Sequence, residues 1–547
     1  MRGHPILSFH AYTPVHHHRL SIRQNCIRAC ALSTTNEATQ FLESGKQTTD
    51  TPLISTLHDE SRRVRGNFFC PGHKQGNRIH PSFRSLCEPD PLRADLPELP
   101  ALDNLFSPEG VIQDAQRMAA DTFTRDGSEI WQTLFLVNGS TCGIEAAVLA
   151  CARPGRKLII PRNAHQSAVH AAVLSGTIPV WVTPQYDQRN DLVHGITASD
   201  ILEAFRKHGN QIDAVLIVSP TYHGVCSDTE TIARIAHEFG AKLIVDEAHG
   251  AHFTFHPSLP RSATDSQADI VVQSTHKTLT AMSQAAMMHV RKASVDTRQL
   301  RSALQLVQTT SPNYLLLASL DGTRALMEER GKALMTQTID LARDCASRIA
   351  KLEGFEVLGT NGVGMEAVNS ENYLVYGLDC TRITVLLPSG MIGYDLDSYL
   401  IDQYGVYAEL PAFRHLTFVL SPGTSQKDVD VLVTSLSKYK TTAVEINKPN
   451  GATRVNWEDT FKDDNSAISP RDAFFADSMT LKTEDAIGRI SVDTLCPYPP
   501  GIPLIIGGER ITRKHIDILR AVLEAGGSVS GAADNELSTI RVVAEEE

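Results

Sequence analysis

Two groups in this chain have the types and the placing for chemistry on an amine. Lys277 ends Ser274-Thr275-His276-Lys277, just past the apolar run Ile270-Val271-Val272-Gln273, and Asp246 closes Ala241-Lys242-Leu243-Ile244-Val245-Asp246. A lysine can hold a carbonyl compound as a Schiff base, and a carboxylate can pair with a protonated ring nitrogen. Pyridoxal 5′-phosphate (PLP) requires both, the first for attachment and the second to keep its ring an electron sink. Taken singly, a loop lysine and a helix-capping aspartate are commonplace. At the ends of successive strands, the pair points to a PLP enzyme.

The elements that must position these groups are short apolar runs between polar turns. Such runs read as strands of a parallel sheet covered on both faces, whose carboxyl ends open onto a ligand crevice. Phe135-Leu136-Val137 breaks into Asn138-Gly139-Ser140-Thr141-Cys142-Gly143 and then a helical pattern. The first turn of a helix has unpaired N–H groups and a positive dipole end, which suits a phosphate. Leu158-Ile159-Ile160-Pro161 places His165 just beyond a third strand, and Ala214 through Ser219 places Thr221, Tyr222 and His223 beyond a fourth. The alternation of strand and helix from about 131 to 290 implies an α/β sheet.

The set Phe69-Cys70-Pro71-Gly72-His73-Lys74, Asn138-Gly139-Ser140-Thr141, Ser219-Pro220-Thr221-Tyr222, Asp246-Glu247-Ala248-His249, Ser274-Thr275-His276-Lys277 and Cys496-Pro497-Tyr498-Pro499-Pro500-Gly501-Ile502-Pro503 resembles the Orn/Lys/Arg decarboxylase family of fold-type I PLP enzymes. It is most similar to the short bacterial arginine/lysine decarboxylase branch, which lacks the N-terminal wing of the long inducible enzymes. The resemblance runs over roughly residues 65 to 530. It implies a large PLP-binding domain like that of aspartate aminotransferase, a smaller α/β domain and a C-terminal α+β domain that closes over the site.

By the same resemblance Lys277 is the Schiff-base lysine, Asp246 the partner of the ring nitrogen, and His165 the residue stacked on the ring face. Ser140, Thr141, Ser274 and His276 would hold the phosphate, with His249 beside cofactor and substrate. Gln166 stands where the family often has a lysine, so any charge that lysine lends the site is absent here. Glu409 and Tyr222 are the substrate candidates, because a partly desolvated carboxylate can pair with guanidinium or ammonium. The turn Thr309–Tyr314 is expected to wall the pocket, and the part His223 plays in substrate choice is open. The implied reaction is removal of CO2 from a basic amino acid, arginine first, lysine second and ornithine third, to give an amine of the polyamine pathway. The implied assembly is a homodimer or larger, with each site completed by the neighbouring chain. Two alternatives stay open: an aminotransferase or lyase on the same fold, and a non-catalytic regulatory protein that kept it.

At 547 residues and 42% hydrophobic, the chain can bury a sizeable core and divide into about three domains. Its net charge of −12 argues against nucleic acid as a partner. Lacking an apolar run of the roughly 20 residues that span a bilayer, the sequence predicts no membrane partner. Ten cysteines without a C-x2-C pair indicate neither a zinc site nor a disulfide framework, and no other metal set stands out. Cys142, next to the phosphate-loop hydroxyls, is read as a small buried filler rather than an oxidation-sensitive thiol.

Residues 1–36 hold no acidic residue, while Arg2, Arg19, Arg23 and Arg28 lie among Ser, Thr, His and small residues. That is the composition of an organelle transit peptide, and Ile27-Arg28-Ala29-Cys30-Ala31 resembles a plastid processing site. A plant or algal plastid stroma is therefore the expected location, with the mitochondrion second. The expected organisation continues with a linker at 37–64, an N-terminal segment and large domain at 65–330, a small α/β domain at 331–440, a connector at 441–480 and a C-terminal domain at 481–547.

Overall fold

A computed structural model describes residues 49–87, 89–360, 376–439, 465–498 and 501–544. The transit segment and most of the connector lie outside these residues. The chain separates into two units, Met1–Thr49, of which Thr49 alone is described, and Asp50–Glu547, which holds everything below.

Seven strands build the central sheet: β1 Trp131–Leu136, β2 Lys157–Pro161, β3 Ile178–Val182, β4 Ile212–Val218, β5 Lys242–Asp246, β6 Ile270–Gln273 and β7 Ala286–Arg291. Their spatial order is β1-β7-β6-β5-β4-β2-β3. Neighbours from β6 to β3 are parallel, but β7 runs antiparallel between β1 and β6, so the sheet is mixed rather than wholly parallel. Strands buried on both faces need no polar alternation, and β5 and β6 accordingly read as continuous apolar runs.

The helix Gly139–Cys151 lies flat on this sheet because its inward positions are small. A Cβ on Gly143 would come within 2.7 Å of Leu136 and 2.8 Å of Val272, so any larger residue would lift the helix off the strands. That close approach aims its first turn at the carboxyl ends of β5 and β6. The helix Val111–Phe123 covers the other side, with Ile112, Ala115, Ala119 and Phe123 buried at the i, i+3, i+4 spacing of an amphipathic face.

Three expected boundaries are corrected. Part of the expected linker is a helix, Pro52–Arg63, with Leu53 and Leu57 buried and the N–H groups of Leu53 and Ile54 donating to Asp321 Oδ2 at 3.1 and 3.3 Å. The boundary at 330/331 falls inside one unbroken helix, Tyr314–Ile349, which passes from the large domain to the small one. Its early turns pack with Leu102 and Ile112, and Ala342, Cys345 and Ile349 belong to the small-domain core.

The small domain has β8 Glu356–Val357, β9 Arg382–Leu386, β10 Leu410–Pro411 and β11 His415–Val419 in the order β8-β9-β11-β10, all antiparallel. Gly377–Leu378 pairs with Val225–Cys226 and ties it to the large domain. The last domain begins earlier than expected. Pro470–Phe475 is already helical and Ser478–Lys482 pairs with Thr539–Val543, so residues 465–480 belong to it and not to the connector. Its core gathers Leu495, Leu504, Ile516, Leu519 and Val542. A buried ion pair, Arg162 Nη1 to Glu509 Oε1 at 3.0 Å, fixes it to the large domain.

Candidate active site

The strand ends converge on a cavity of about 310 Å3. Lys277 and His276 reach it from the short helix Thr275–Thr278 directly after β6, and Asp246 is the last residue of β5. Ser140, Thr141, Ser274, His165, His249 and Tyr222 also line it. Of the residues singled out in the sequence, Glu409 is not part of this wall. It is exposed just before β10, yet its charge acts on Lys277, His276 and Arg382. The turn Thr309–Tyr314 contributes to neither this cavity nor the one beside it.

At the phosphate end, Ser140 and Thr141 occupy the first turn of the helix Gly139–Cys151, whose cap residue Asn138 makes no side-chain capping bond. Apart from that of Gly139, the first-turn N–H groups can serve an anion. Ser274 Oγ donates to Ser140 Oγ at 2.9 Å, joining the two hydroxyl-bearing turns. Gly139, at φ +72°, has open space where a Cβ would stand, so nothing crowds a ligand at the turn. His276 Nδ1 donates to the Ala285 carbonyl at 2.8 Å, which leaves Nε2 for the cavity.

Asp246 is buried too, and among the described residues its carboxylate accepts one hydrogen bond, from the Ala248 N–H at 3.1 Å. Burial pushes its carboxyl above the usual carboxylate range, opposed by the charge of Lys277. A protonated ring nitrogen facing it would supply the cation that this buried acid lacks. His165 Nδ1 accepts from the Ser167 N–H at 3.2 Å as the cap of its helix, and burial lowers the ring to about 4, so a neutral imidazole faces the cavity. Anion-binding turn, buried acid, neutral ring and lysine together fit a phosphorylated pyridine aldehyde.

Lys277 Nζ lies 3.1 Å from His249 Nε2, and Tyr222 meets the His249 ring edge-on at 5.0 Å. Cys142 is buried with its thiol pushed up to about 12, so it is an inert filler. Three contributors were missed in the sequence. Ser283 and Gln284 line the cavity from the turn before β7, and Gln284 braces the phosphate loop by accepting from the Gly139 N–H at 2.9 Å. Arg382 reaches His249 from the small domain, its Nη2 donating to Nδ1 at 2.7 Å. A charged residue opening the apolar run Arg382-Ile383-Thr384-Val385-Leu386 was the signal available for it.

This fold and this constellation define a fold-type I PLP enzyme. The chain belongs to the Orn/Lys/Arg decarboxylase family, whose major domain matches residues 51–428 and whose C-terminal domain matches residues 461–535. It is 35% identical over 498 residues to the arginine decarboxylase of Bacillus subtilis, covering 91% of this chain and 98% of that one. With the arginine decarboxylase of Bacillus anthracis it shares 34% over 497 residues, covering 91% and 98%. Lysine decarboxylase A from Pseudomonas aeruginosa superposes with a TM-score of 0.77 at 23% identity, over 90% of this chain and 80% of that one, a likeness of fold. The chain is thus a PLP-dependent decarboxylase of the family that acts on basic amino acids.

Proposed function

We propose that the substrate is arginine first, lysine second and ornithine third, and that Lys277, Asp246, His165 and His249 carry the reaction. The observation that carries this reading is that Lys277, Asp246 and the helix-start turn Gly139–Thr141 line one cavity. The bound cofactor would accept the electrons left when CO2 departs. The chain's own residues would bind, orient and move a proton: Lys277 Nζ would return one to the substrate carbon, and His249 Nε2 lies 3.1 Å from it.

The preference for arginine draws on the relatives named arginine decarboxylase and on a second, smaller cavity of about 80 Å3 that shares Val218 and Tyr222 with the first. Apolar walls such as Val193, Leu410 and Ile502 suit a methylene chain. Its polar groups include Asp191, whose buried carboxyl is pushed up to about 7 and accepts from the Tyr186 hydroxyl at 2.6 Å. His223 and His415 meet edge-on at 4.7 Å in the same wall, both held neutral by burial. With Glu409 next to Leu410, two carboxylates are available to a distant cation. Purified protein supplied with PLP and each amino acid in turn should release the amine from arginine fastest. Release from none of the three would reject the reading, and a faster release from lysine would reverse its order.

The working unit in this reading is at least a homodimer whose sites borrow the Phe68–Lys74 segment of the neighbour. Phe68 is 96% exposed and none of the segment lines the cavity of its own chain. A bare aromatic beside a Pro-Gly turn suits an interface. Mixing a Lys277→Ala chain with one inactivated by substitution in residues 70–74 should restore part of the activity, because one hybrid site then has both halves intact. A fully active monomer by light scattering would defeat the idea.

A further inference from the structure

The bond between Arg382 and His249 determines where the only proton of that imidazole sits. A guanidinium carries donors and no acceptor, so at 2.7 Å from Arg382 Nη2 the His249 Nδ1 must accept. A neutral imidazole has one N–H, which is then on Nε2. A doubly protonated ring would set an N–H against the guanidinium, and burial opposes it as well. Nε2 is 3.1 Å from Lys277 Nζ. With the hydrogen on Nε2, that contact is a hydrogen bond only if Nζ offers a lone pair, and an ammonium has none.

Arg382 is itself fixed. Its Nε lies 3.9 Å from Asp379 Oδ2, which is 3.0 Å from His252 Nε2, while Asp379 Oδ1 accepts from the Thr381 N–H at 2.9 Å and its hydroxyl at 2.7 Å. Asp379, Arg382, His249 and His252 are all buried. Gly224, at φ +86°, packs its backbone against both members of the pair: a Cβ there would stand 3.0 Å from Arg382 Cγ and from Asp379 Cβ. The guanidinium has no room to swing away.

We propose that Arg382 is a positioning residue: by donating to Nδ1 it fixes the Nε2–H form of His249 and thereby keeps Lys277 an uncharged amine. That is the form able to add to an aldehyde carbon, giving a C=N bond and releasing one water. The other charged or titratable groups acting on Lys277 are Asp246 at the end of β5, Glu409 ahead of β10, His165 at its helix cap and the adjacent His276. Asp246 and Glu409 favour the ammonium, whereas burial, the largest influence, and the positive charge of Arg382 oppose it. The net effect is to lower the Lys277 amine below its ordinary value. The inference concerns the lysine alone and holds whichever basic amino acid is turned over.

The test is the pH dependence of lysine labelling in the full-length protein freed of cofactor, by brief reductive methylation and peptide mapping from pH 6 to 10. Exposed Lys207 in the same sample serves as the internal standard. Lys277 should label with a midpoint clearly below that of Lys207. In Arg382→Met the midpoint should rise by about one pH unit, a tenfold smaller amine fraction at neutral pH, and Arg382→Lys should recover part of the difference. If Arg382→Met does not fold, the paired variant Arg382→Met/Asp379→Asn removes the donor without stranding the buried acid. A Lys277 midpoint equal to that of Lys207 in the unaltered protein, or an unshifted midpoint in a folded variant, would overturn the proposal.

Discussion

Borohydride reduction of the Lys277→Ala protein in the presence of PLP leaves no cofactor on any peptide, whereas the unaltered chain carries it on the peptide containing Lys277. This is the expected result because Lys277 is the only lysine among the described residues lining the cavity, which the buried Asp246 also lines. Turnover should fall by on the order of 10²–10⁴-fold from the lost proton transfer alone, and further from the lost attachment. The fold should survive, since the Lys277 side chain packs no core and removing it relieves a buried amine. Recovery of the cofactor on Lys74 or Lys157 would reject the assignment.

Asp246→Asn should keep the fold and lose activity by on the order of a hundredfold or more, because an amide cannot hold a ring nitrogen protonated in a desolvated site. A second readout separates this role from a structural one. Burial raises the Asp246 carboxyl, so the folded chain binds that proton more tightly than the unfolded chain does. The stability cost of its ionised form is absent below the unfolded pKa and grows as pH rises through the ordinary carboxylate range toward the raised value. Without cofactor, the Asn variant should therefore melt no lower than its parent at neutral pH. Near-normal turnover would show that Asp246 does not serve the ring nitrogen, and a large drop in melting temperature would mark it as a structural residue.

The parts of the site that could be read in the sequence are those set by local order. An apolar run followed by small or polar residues marks a strand end; Asp246 closes one strand and Lys277, His165 and Tyr222 each sit just beyond another, so a single topology brings them together. Arg382 was not legible because its partner His249 is 133 residues away, and no local pattern encodes that distance. The helix Pro52–Arg63 was mistaken for linker because it buries only Leu53, Leu57 and Ser61 and turns His58, Asp59, Arg62 and Arg63 outward. The domain boundary was misplaced because the helix Tyr314–Ile349 serves both domains and carries no break at the transition.

The ion pair between Arg162 and Glu509 makes the last domain a plug rather than a removable module. Arg162 stands one residue past β2, in the segment that leads to His165, and its side chain is only 3% exposed because the last domain covers it. A chain ending after the small domain would leave that guanidinium with no carboxylate to meet it and open it to water. The stretch Arg162–His165 would then be free to re-form around water. Amputation at the carboxyl terminus would in this way blunt the face of the cavity that His165 supplies, although no residue of the central sheet had been touched.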